Sequence, residues 1–278
     1  MGNKNRPVLL PADHDLFQRI AKHGFVDMEY VYRFAYPGRK KRTINARLLQ
    51  LEKYKFLSVT RTFIPPDYTI DYRCGYRIIT LGISGLEALS NMGTSVSDRS
   101  EVIRTSSPYR MYHQVQVATV CDTICEQYYS PESKWEVMEV LNEKEAYLEE
   151  NLNQPDAVII FKRKEMTDHP VLIVFVEIER SYASIKSLNR KIRGYEISIK
   201  KKLYDQKLKY RSAEQRVLFV TQSMLQRDAL ITKLSMQESH LHILVSGYQD
   251  VAKRPLDDIY IVPKDPLPVC KLLSKYPI

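Results

Sequence analysis

The sequence predicts an α+β domain followed by an α/β domain, and three observations carry this prediction. The first 90 residues contain three helical patterns followed by two strand patterns. Residues 91–108 are rich in serine and threonine and lack apolar periodicity, which is typical of a linker. Residues 171–176 are all apolar, as in a strand covered on both faces. We therefore place the domains at 1–90 and 109–278, with a linker at 91–108.

The N-terminal domain begins with helical patterns at 15–23 and 27–36, and Asp13 is the expected N-cap of the first. The third pattern covers 39–52, where Ile44, Leu48 and Leu51 recur at the spacing of a buried helix face. Strand patterns at 56–64 and 76–81 follow. Three helices and then a hairpin is the element order of a winged helix-turn-helix domain.

The third helix of such a domain lies in the major groove of duplex DNA. Four consecutive cations open this helix, where the helix dipole disfavours positive charge unless an anion is near. A basic face that is merely solvated is the alternative. The residues expected to contact DNA are Arg42, Thr43, Asn45, Ala46 and Gln50 at base edges, Arg39, Lys40 and Lys41 at phosphates, and Arg73 in the wing.

The C-terminal domain has the predicted order helix, three strands, helix, strand. The helix covers 111–129, the strands cover 135–141 and two segments of 153–180, and a long basic helix at 184–208 precedes a strand at 217–221. A helix at 223–235 and a strand at 240–245 complete the core, and the proline-containing tail is expected to be irregular.

Three carboxylates stand out in the two strands of 153–180. Glu177 and Glu179 share one face of the second strand, because strand side chains alternate, and Asp156 begins the strand before it. Carboxylates at the end of a buried strand are costly unless a metal ion or a basic side chain neutralises them. The pattern therefore predicts such a partner.

Composition narrows the choice of partner. The chain has 42 Lys and Arg against 33 Asp and Glu, and its net charge of +9 favours a polyanion such as nucleic acid, with an anionic membrane surface as the weaker option. No apolar run approaches the roughly 18 residues of a spanning helix, and the N-terminus lacks the apolar core of a signal peptide. We expect a cytoplasmic protein without membrane association. Cys121 and Cys125 are four residues apart on a helix, a spacing that indicates buried thiols rather than a zinc site.

The C-terminal element order and its acids resemble those of PD-(D/E)xK nucleases, whose core is restriction-endonuclease-like (αβββαβ). Pro155-Asp156 is followed about twenty residues later by Glu177-Ile178-Glu179. The resemblance implies that Asp156 and Glu177 hold Mg²⁺, which activates water and stabilises the pentacoordinate phosphate. Glu179 stands where the family has a lysine, and Lys191 on the following helix is the candidate replacement. The candidate catalytic residues are thus Asp156, Glu177, Glu179 and Lys191.

The whole chain also resembles the replication-relaxation family of plasmids and integrative elements. The matching segments are DLFQRIAKHGFVDMEYVYRFAY, INARLLQLEKYKFL, Met111-Tyr112-His113, PDAVIIF and FVEIERSYASIKSLNRKIRGYE. The resemblance implies a DNA-binding protein of a mobile genetic element that acts in replication, relaxation or transfer. It also implies other replication or transfer proteins as partners.

Several functions are consistent with these patterns. The favoured hypothesis is duplex DNA binding by the N-terminal domain. The C-terminal domain then only binds DNA or another protein, and its acids pair with a basic side chain. A winged-helix transcriptional regulator with a non-catalytic C-terminal domain is a variant of it. The first alternative is a Mg²⁺-dependent DNA nickase of the PD-(D/E)xK type. A tyrosine nucleophile of the relaxase kind is the weakest, because the six histidines are scattered.

Overall fold

The structure of the protein is a computed structural model, which describes residues 7–62, 76–94, 106–148, 152, 154–164, 171–265 and 269–273. The chain divides into two compact units, Met1–Ala118 and Thr119–Ile278. Each unit is described below by itself. No helix in the described ranges is both long and apolar enough to cross a membrane.

The first unit contains four helices and a small sheet within its described residues. In chain order these are α1 (Pro11–His23), β1 (Val26–Asp27), α2 (Met28–Tyr30), a π-helical turn (Val31–Ala35), α3 (Lys41–Lys53), β2 (Leu57–Thr62), β3 (Tyr76–Leu81) and α4 (Ile83–Asn91). Strand β3 pairs antiparallel with both β1 and β2. The predicted order of three helices and two strands is confirmed, whereas β1 was not predicted. A winged helix-turn-helix remains our interpretation of this order.

The core of the first unit contains the α3 residues whose apolar spacing predicted a buried helix face. Ile44, Leu48 and Leu51 of α3 are buried and pack in one cluster with residues of α1 and the two longer strands. A second cluster joins Met111 and Val115 to Tyr76 of β3 and its neighbours. The compact division thus falls within the helix that follows α4, and the boundaries 1–90, 91–108 and 109–278 stay a prediction.

Asp13 has a different role from the predicted N-cap. Leu10 is the N-cap of α1, and Asp13 accepts a hydrogen bond from the Leu10 backbone N–H at 2.6 Å. The fully buried carboxylate also forms an ion pair with Arg47 of α3 and accepts a hydrogen bond from the Tyr36 hydroxyl at 2.5 Å. A buried charge needs such partners, so Asp13 ties α1 to α3.

The second unit has a seven-stranded mixed sheet. Its elements are the C-terminal part of α5 (Pro108–Tyr128), β4 (Trp135–Asn142), β5 (Ala157–Arg163), β6 (Val171–Glu179), α6 (Ile185–Lys200), α7 (Leu203–Leu208), β7 (Ser212–Thr221), α8 (Met224–Ser235), β8 (His242–Gly247), α9 (Tyr248–Lys253), β9 (Tyr260–Ile261) and β10 (Val269–Cys270). The strand order is β10-β9-β8-β7-β6-β5-β4. Strands β4, β5 and β6 pair antiparallel, and β6, β7 and β8 pair parallel. The predicted order helix, three strands, helix, strand is confirmed.

Strand β6 lies in the interior, as its apolar run predicted. All nine of its residues are buried. The Phe175 ring contacts the rings of Tyr195 and Tyr204, with centroid distances of 5.0 and 4.7 Å. The pairing of Ala157 with Val176 brings the start of β5 beside the carboxyl end of β6.

Two predictions about this unit need correction. The helix expected at 184–208 is interrupted, because Lys202 adopts a left-handed conformation with φ 54° and separates α6 from α7. The tail is not irregular throughout, since it forms α9, β9 and β10.

Buried Arg216 donates a hydrogen bond to the Leu272 carbonyl at 2.5 Å, which fixes the end of the described chain. Cys121 and Cys125 are buried free thiols, as expected.

Candidate functional site

Glu177, Glu179 and Lys191 meet at the carboxyl end of β6. The strand directs both glutamates to one face, and α6 places Lys191 across from them. The Lys191 Nζ lies 2.7 Å from Glu177 Oε2 and 2.5 Å from Glu179 Oε1. The structure therefore brings three of the four predicted catalytic residues into direct contact, and the basic partner that the acids required is Lys191.

Tyr195 completes what we call the carboxylate cluster, which consists of Asp156, Glu177, Glu179, Lys191 and Tyr195. The Tyr195 hydroxyl donates to Glu177 Oε1 at 2.5 Å. Tyr195 was not among the predicted site residues. The four-residue spacing between Lys191 and Tyr195 was the available signal, because it puts both side chains on one side of a helix.

The electrostatics of the cluster follow from burial. The Glu177 residue is only 3% exposed, and burial, together with the nearby Asp156 charge, raises its pKa to about 7 against the opposing effect of Lys191. Burial disfavours the Lys191 cation, but the charges of Glu177 and Glu179 outweigh it and raise the Lys191 pKa above its usual value. Lys191 is therefore a permanent cation at neutral pH.

Asp156 is bound to the facing strand. Its backbone N–H donates to the Val176 carbonyl at 3.0 Å, and its Oδ2 accepts a hydrogen bond from the Ile178 N–H at 2.7 Å. The half-buried carboxylate thus extends the pairing of β5 with β6 by one residue. The Asp156 carboxylate therefore accepts a hydrogen bond from a backbone amide of β6.

The Mg²⁺ implied by the nuclease resemblance can be tested against these contacts. Both Glu177 oxygens accept hydrogen bonds, one from Tyr195 and one from Lys191, and Glu179 shares the same ammonium. In the part of the chain that the structure describes, no group of three or more His, Cys, Asp or Glu side chains is arranged to hold a metal ion. As placed, these residues fit a lysine-neutralised carboxylate pair and do not fit Mg²⁺ held by Asp156 and Glu177. Metal binding there stays a prediction.

The predicted DNA-contacting residues other than Arg73 lie along α3 and in the two residues before it. Most of the set is exposed, namely Arg39, Lys40, Lys41, Arg42, Thr43, Ala46 and Gln50. Among the described residues, Arg39, Lys40 and Arg42 form no ion pair. Lys41 differs, because its Nζ lies 3.0 Å from Glu29 and 4.6 Å from the centre of the Tyr32 ring. Arg73 lies outside the described residues.

Two polar side chains of α3 are held in fixed orientations. The Tyr32 hydroxyl donates to Asn45 Oδ1 at 2.8 Å, and Arg47 Nη1 donates to Gln50 Oε1 at 2.7 Å. Arg47 is itself anchored by the ion pair with buried Asp13. Neither Tyr32 nor Arg47 was among the predicted site residues, because the contacts of Tyr32 with Asn45 and of Arg47 with Asp13 join elements that are separate in sequence.

Comparisons with known proteins find only distant similarity. No protein-family model matches the chain, and no curated protein matches it. Among solved structures, restriction endonuclease FokI bound to DNA is 12% identical with a TM-score of 0.31, over 86% of this chain and 43% of that one. A second FokI structure is 11% identical with a TM-score of 0.30, over 88% and 45%. The chain spans less than half the length of FokI in both cases. A TM-score near 0.3 is too low to transfer an activity, and the resemblance to this nuclease is a weak one in structure.

Proposed function

We propose that the protein binds duplex DNA through a winged helix-turn-helix domain in which α3 enters the major groove. The main support for this proposal is a group of exposed cations at the start of α3, namely Arg39, Lys40 and Arg42. None of them forms an ion pair with a described residue. Positive charge at a helix N-terminus is unfavourable by itself and becomes favourable when a phosphate is bound there.

The polar residues further along α3 supply the groups that read bases. Asn45 and Gln50 carry amides, which suit the edge of adenine, and Arg42 suits the edge of guanine. The contacts with Tyr32 and Arg47 fix the two amides before DNA arrives. Side chains that are already ordered lose less conformational entropy on binding.

The carboxylate cluster favours a non-catalytic second unit. Lys191 forms ion pairs with both Glu177 and Glu179, so that each carboxylate has a cationic partner without a bound metal. The replication, relaxation or transfer of a mobile element, in a complex with other proteins of that process, is the role that the sequence resemblance favours. A transcriptional regulator would use α3 in the same way.

The binding mode can be tested by separating phosphate contacts from base contacts. A preferred site is first selected from a random pool of duplexes. Arg42→Ala and Asn45→Ala should each cost about 1–3 kcal/mol on that site and much less on random duplex. Lys40→Ala should weaken both duplexes alike and reduce the slope of log affinity against log salt by about one unit. Lys53→Ala, an exposed lysine in the last turn of α3, is the matched control.

Two results would contradict the proposed binding mode. If the pool yields no enriched sequence, or if Arg42→Ala weakens every duplex equally, α3 serves only as an electrostatic clamp. If Lys53→Ala is as damaging as Lys40→Ala, the effect of Lys40 is general charge and not a contact at the start of the helix.

A Mg²⁺-dependent DNA nickase is the second candidate, and one observation favours it. Lys191 supplies the amine that Glu179 cannot, but its ammonium lies 2.7 Å from Glu177 and would have to move for Mg²⁺ to bind that carboxylate. Titration calorimetry with Mg²⁺ and nicking of supercoiled DNA test this function together. Equal Mg²⁺ affinity in the wild type and in Asp156→Ala, or intact supercoiled DNA at saturating Mg²⁺, would exclude it.

A further inference from the structure

A second basic segment, separate from α3, lies in the second unit. Residues 184–211 contain ten Lys and Arg and two acids, a net charge of +8, whereas the whole chain has +9. This segment contains α6 and α7 and lies far along the chain from α3. Residues 39–55, which include α3, have seven Lys and Arg and one acid, a net charge of +6, so the chain has two separate basic segments.

The cations of α6 and its C-terminal end are directed to solvent. Those that are exposed and form no ion pair with a described residue are Lys186, Arg190, Arg193, Lys200, Lys201 and Lys202, which we call the α6 basic surface. Lys186, Arg190 and Arg193 follow one another at intervals of four and three residues, the spacing of neighbours on one helix face. Lys201 continues the row about 22 Å from Lys186, given the rise of ~1.5 Å per residue. This length corresponds to about six phosphates of one DNA strand at ~3.4 Å each.

The acids of the segment do not neutralise this surface. Glu196 accepts a hydrogen bond from Ser239 Oγ at 2.7 Å, and Asp205 accepts one from Ser212 Oγ at 2.6 Å. Both contacts direct the carboxylates to other elements of the unit. Repulsion among the unpaired cations is unfavourable, and a bound polyanion relieves it.

The packing of α6 distinguishes nucleic acid from a membrane as the polyanion. A helix that binds a lipid surface needs a free apolar face to insert between headgroups. The apolar face of α6 is already used, because Leu188, Ile192 and Tyr195 are buried against the sheet. Apart from Ile185 and Asn189, the exposed residues of α6 are cations of the α6 basic surface, which suits a regularly spaced phosphodiester backbone.

We infer that the α6 basic surface is a second DNA-binding site, which contacts the phosphates of duplex DNA without reading its sequence. The inference deepens the proposed function and rests on it for the choice of DNA as partner. The two sites differ in what they recognise, because α3 carries side chains suited to base edges and the α6 basic surface carries only cations. Phosphate contacts give affinity and salt dependence without sequence preference.

The test compares two triple variants of the full-length protein in fluorescence anisotropy titrations over a range of salt concentrations. Lys186→Gln/Arg190→Gln/Arg193→Gln removes three charges from the α6 basic surface. Lys134→Gln/Lys144→Gln/Lys253→Gln removes the same charge from exposed positions elsewhere in the second unit. The first variant should lower the slope of log affinity against log salt by about three units, at ~0.9 per contact, equally for the selected site and for random duplex. The second should change the slope by less than about one unit. Unchanged Trp135 fluorescence should show that both variants are folded, since this single tryptophan lies in β4.

The outcomes separate this inference from the proposed function. Suppose that the wild type binds duplex DNA, that Arg42→Ala loses site preference, and that the α6 triple variant behaves like the control variant. The second site is then refuted, and the proposed role of α3 is not. If the wild type binds no duplex, the proposed function falls. If the α6 triple variant loses affinity only for a single-stranded oligonucleotide, the assignment to duplex DNA is wrong. If it loses affinity only for phosphatidylserine vesicles, the assignment to nucleic acid is wrong.

Discussion

The Lys191 ammonium is predicted to be the main stabilising partner of two buried carboxylates. Lys191→Met keeps most of the side-chain stem and removes the charge, which leaves Glu177 at 3% exposure and Glu179 without a cation. Removing one partner of a buried ion pair costs about 3–5 kcal/mol, because the other charge remains buried. The Lys191 side chain is 29% exposed, so solvent screens part of the interaction. We expect a loss of about 3 kcal/mol in the free energy of unfolding of the second unit at about pH 8.

The loss should depend on pH in a defined direction. In the wild type, burial raises the Glu177 pKa from 4.5 to about 7. A carboxyl group whose pKa is higher in the folded state binds protons more tightly there, so stability falls as pH rises from the unfolded pKa through the folded one. Loss of Lys191 raises the folded pKa further. The penalty of Lys191→Met should therefore be small near pH 4.5 and reach its full value above neutral pH.

Urea unfolding followed by tryptophan fluorescence measures this penalty for the second unit alone, because Trp135 is the single tryptophan of the chain. Glu177→Gln in the Lys191→Met background should recover about 2 kcal/mol, since it removes the uncompensated carboxylate. Lys186→Met, on the exposed side of α6, is the matched control and should stay within about 0.5 kcal/mol of the wild type. A loss below about 1 kcal/mol for Lys191→Met, or an equal loss at low and high pH, would refute the reasoning.

Three further predictions concern other contacts. Asp156→Ala should lower the unfolding free energy measured with Trp135 by about 1–3 kcal/mol, because a strand amide loses its acceptor, and Asp156→Asn should restore most of it. Arg47→Met should accelerate amide hydrogen exchange in α1 and α3, because Asp13 stays buried without its ion-pair partner. Unchanged exchange would mean that the hydrogen bond from Tyr36 is enough to stabilise the buried Asp13 carboxylate. Tyr32→Phe should reduce the preference for the selected DNA site and leave binding to random duplex unchanged, because it frees the Asn45 amide to rotate; an equal effect on both duplexes would show that the contact supports the fold only.

Much of the secondary structure could be predicted from spacing along the chain. The stripe of Ile44, Leu48 and Leu51 predicted the buried face of α3 because a helix repeats every 3.6 residues. The uninterrupted apolar run before Glu177 predicted a strand with both faces covered. Two-residue strands such as β1 have no periodicity to detect, and the break at Lys202 depends on a left-handed conformation that lysine does not signal.

The candidate site was predictable in kind but not in geometry. The sequence required a partner for Glu177 and Glu179 and offered either a metal ion or Lys191. The choice between them depends on the distance from α6 to the end of β6, and the structure places the Lys191 Nζ at 2.7 and 2.5 Å from the two carboxylates. The role of Asp13 was misjudged for the same reason, since its partner Arg47 lies 34 residues away in the chain.

The sequence by itself determined the order of elements, the apolar face of α3, the buried strand with its two terminal acids and the excess of positive charge. Each of these is a local property, because side-chain direction follows from the backbone repeat and charge from composition. Only the tertiary structure decided which groups meet. The packing of separate elements sets the distances over which hydrogen bonds and buried charges act. It brings together Lys191 with Glu177 and Glu179, Tyr195 with Glu177, and Arg47 with Asp13, and it leaves the row of cations on α6 exposed.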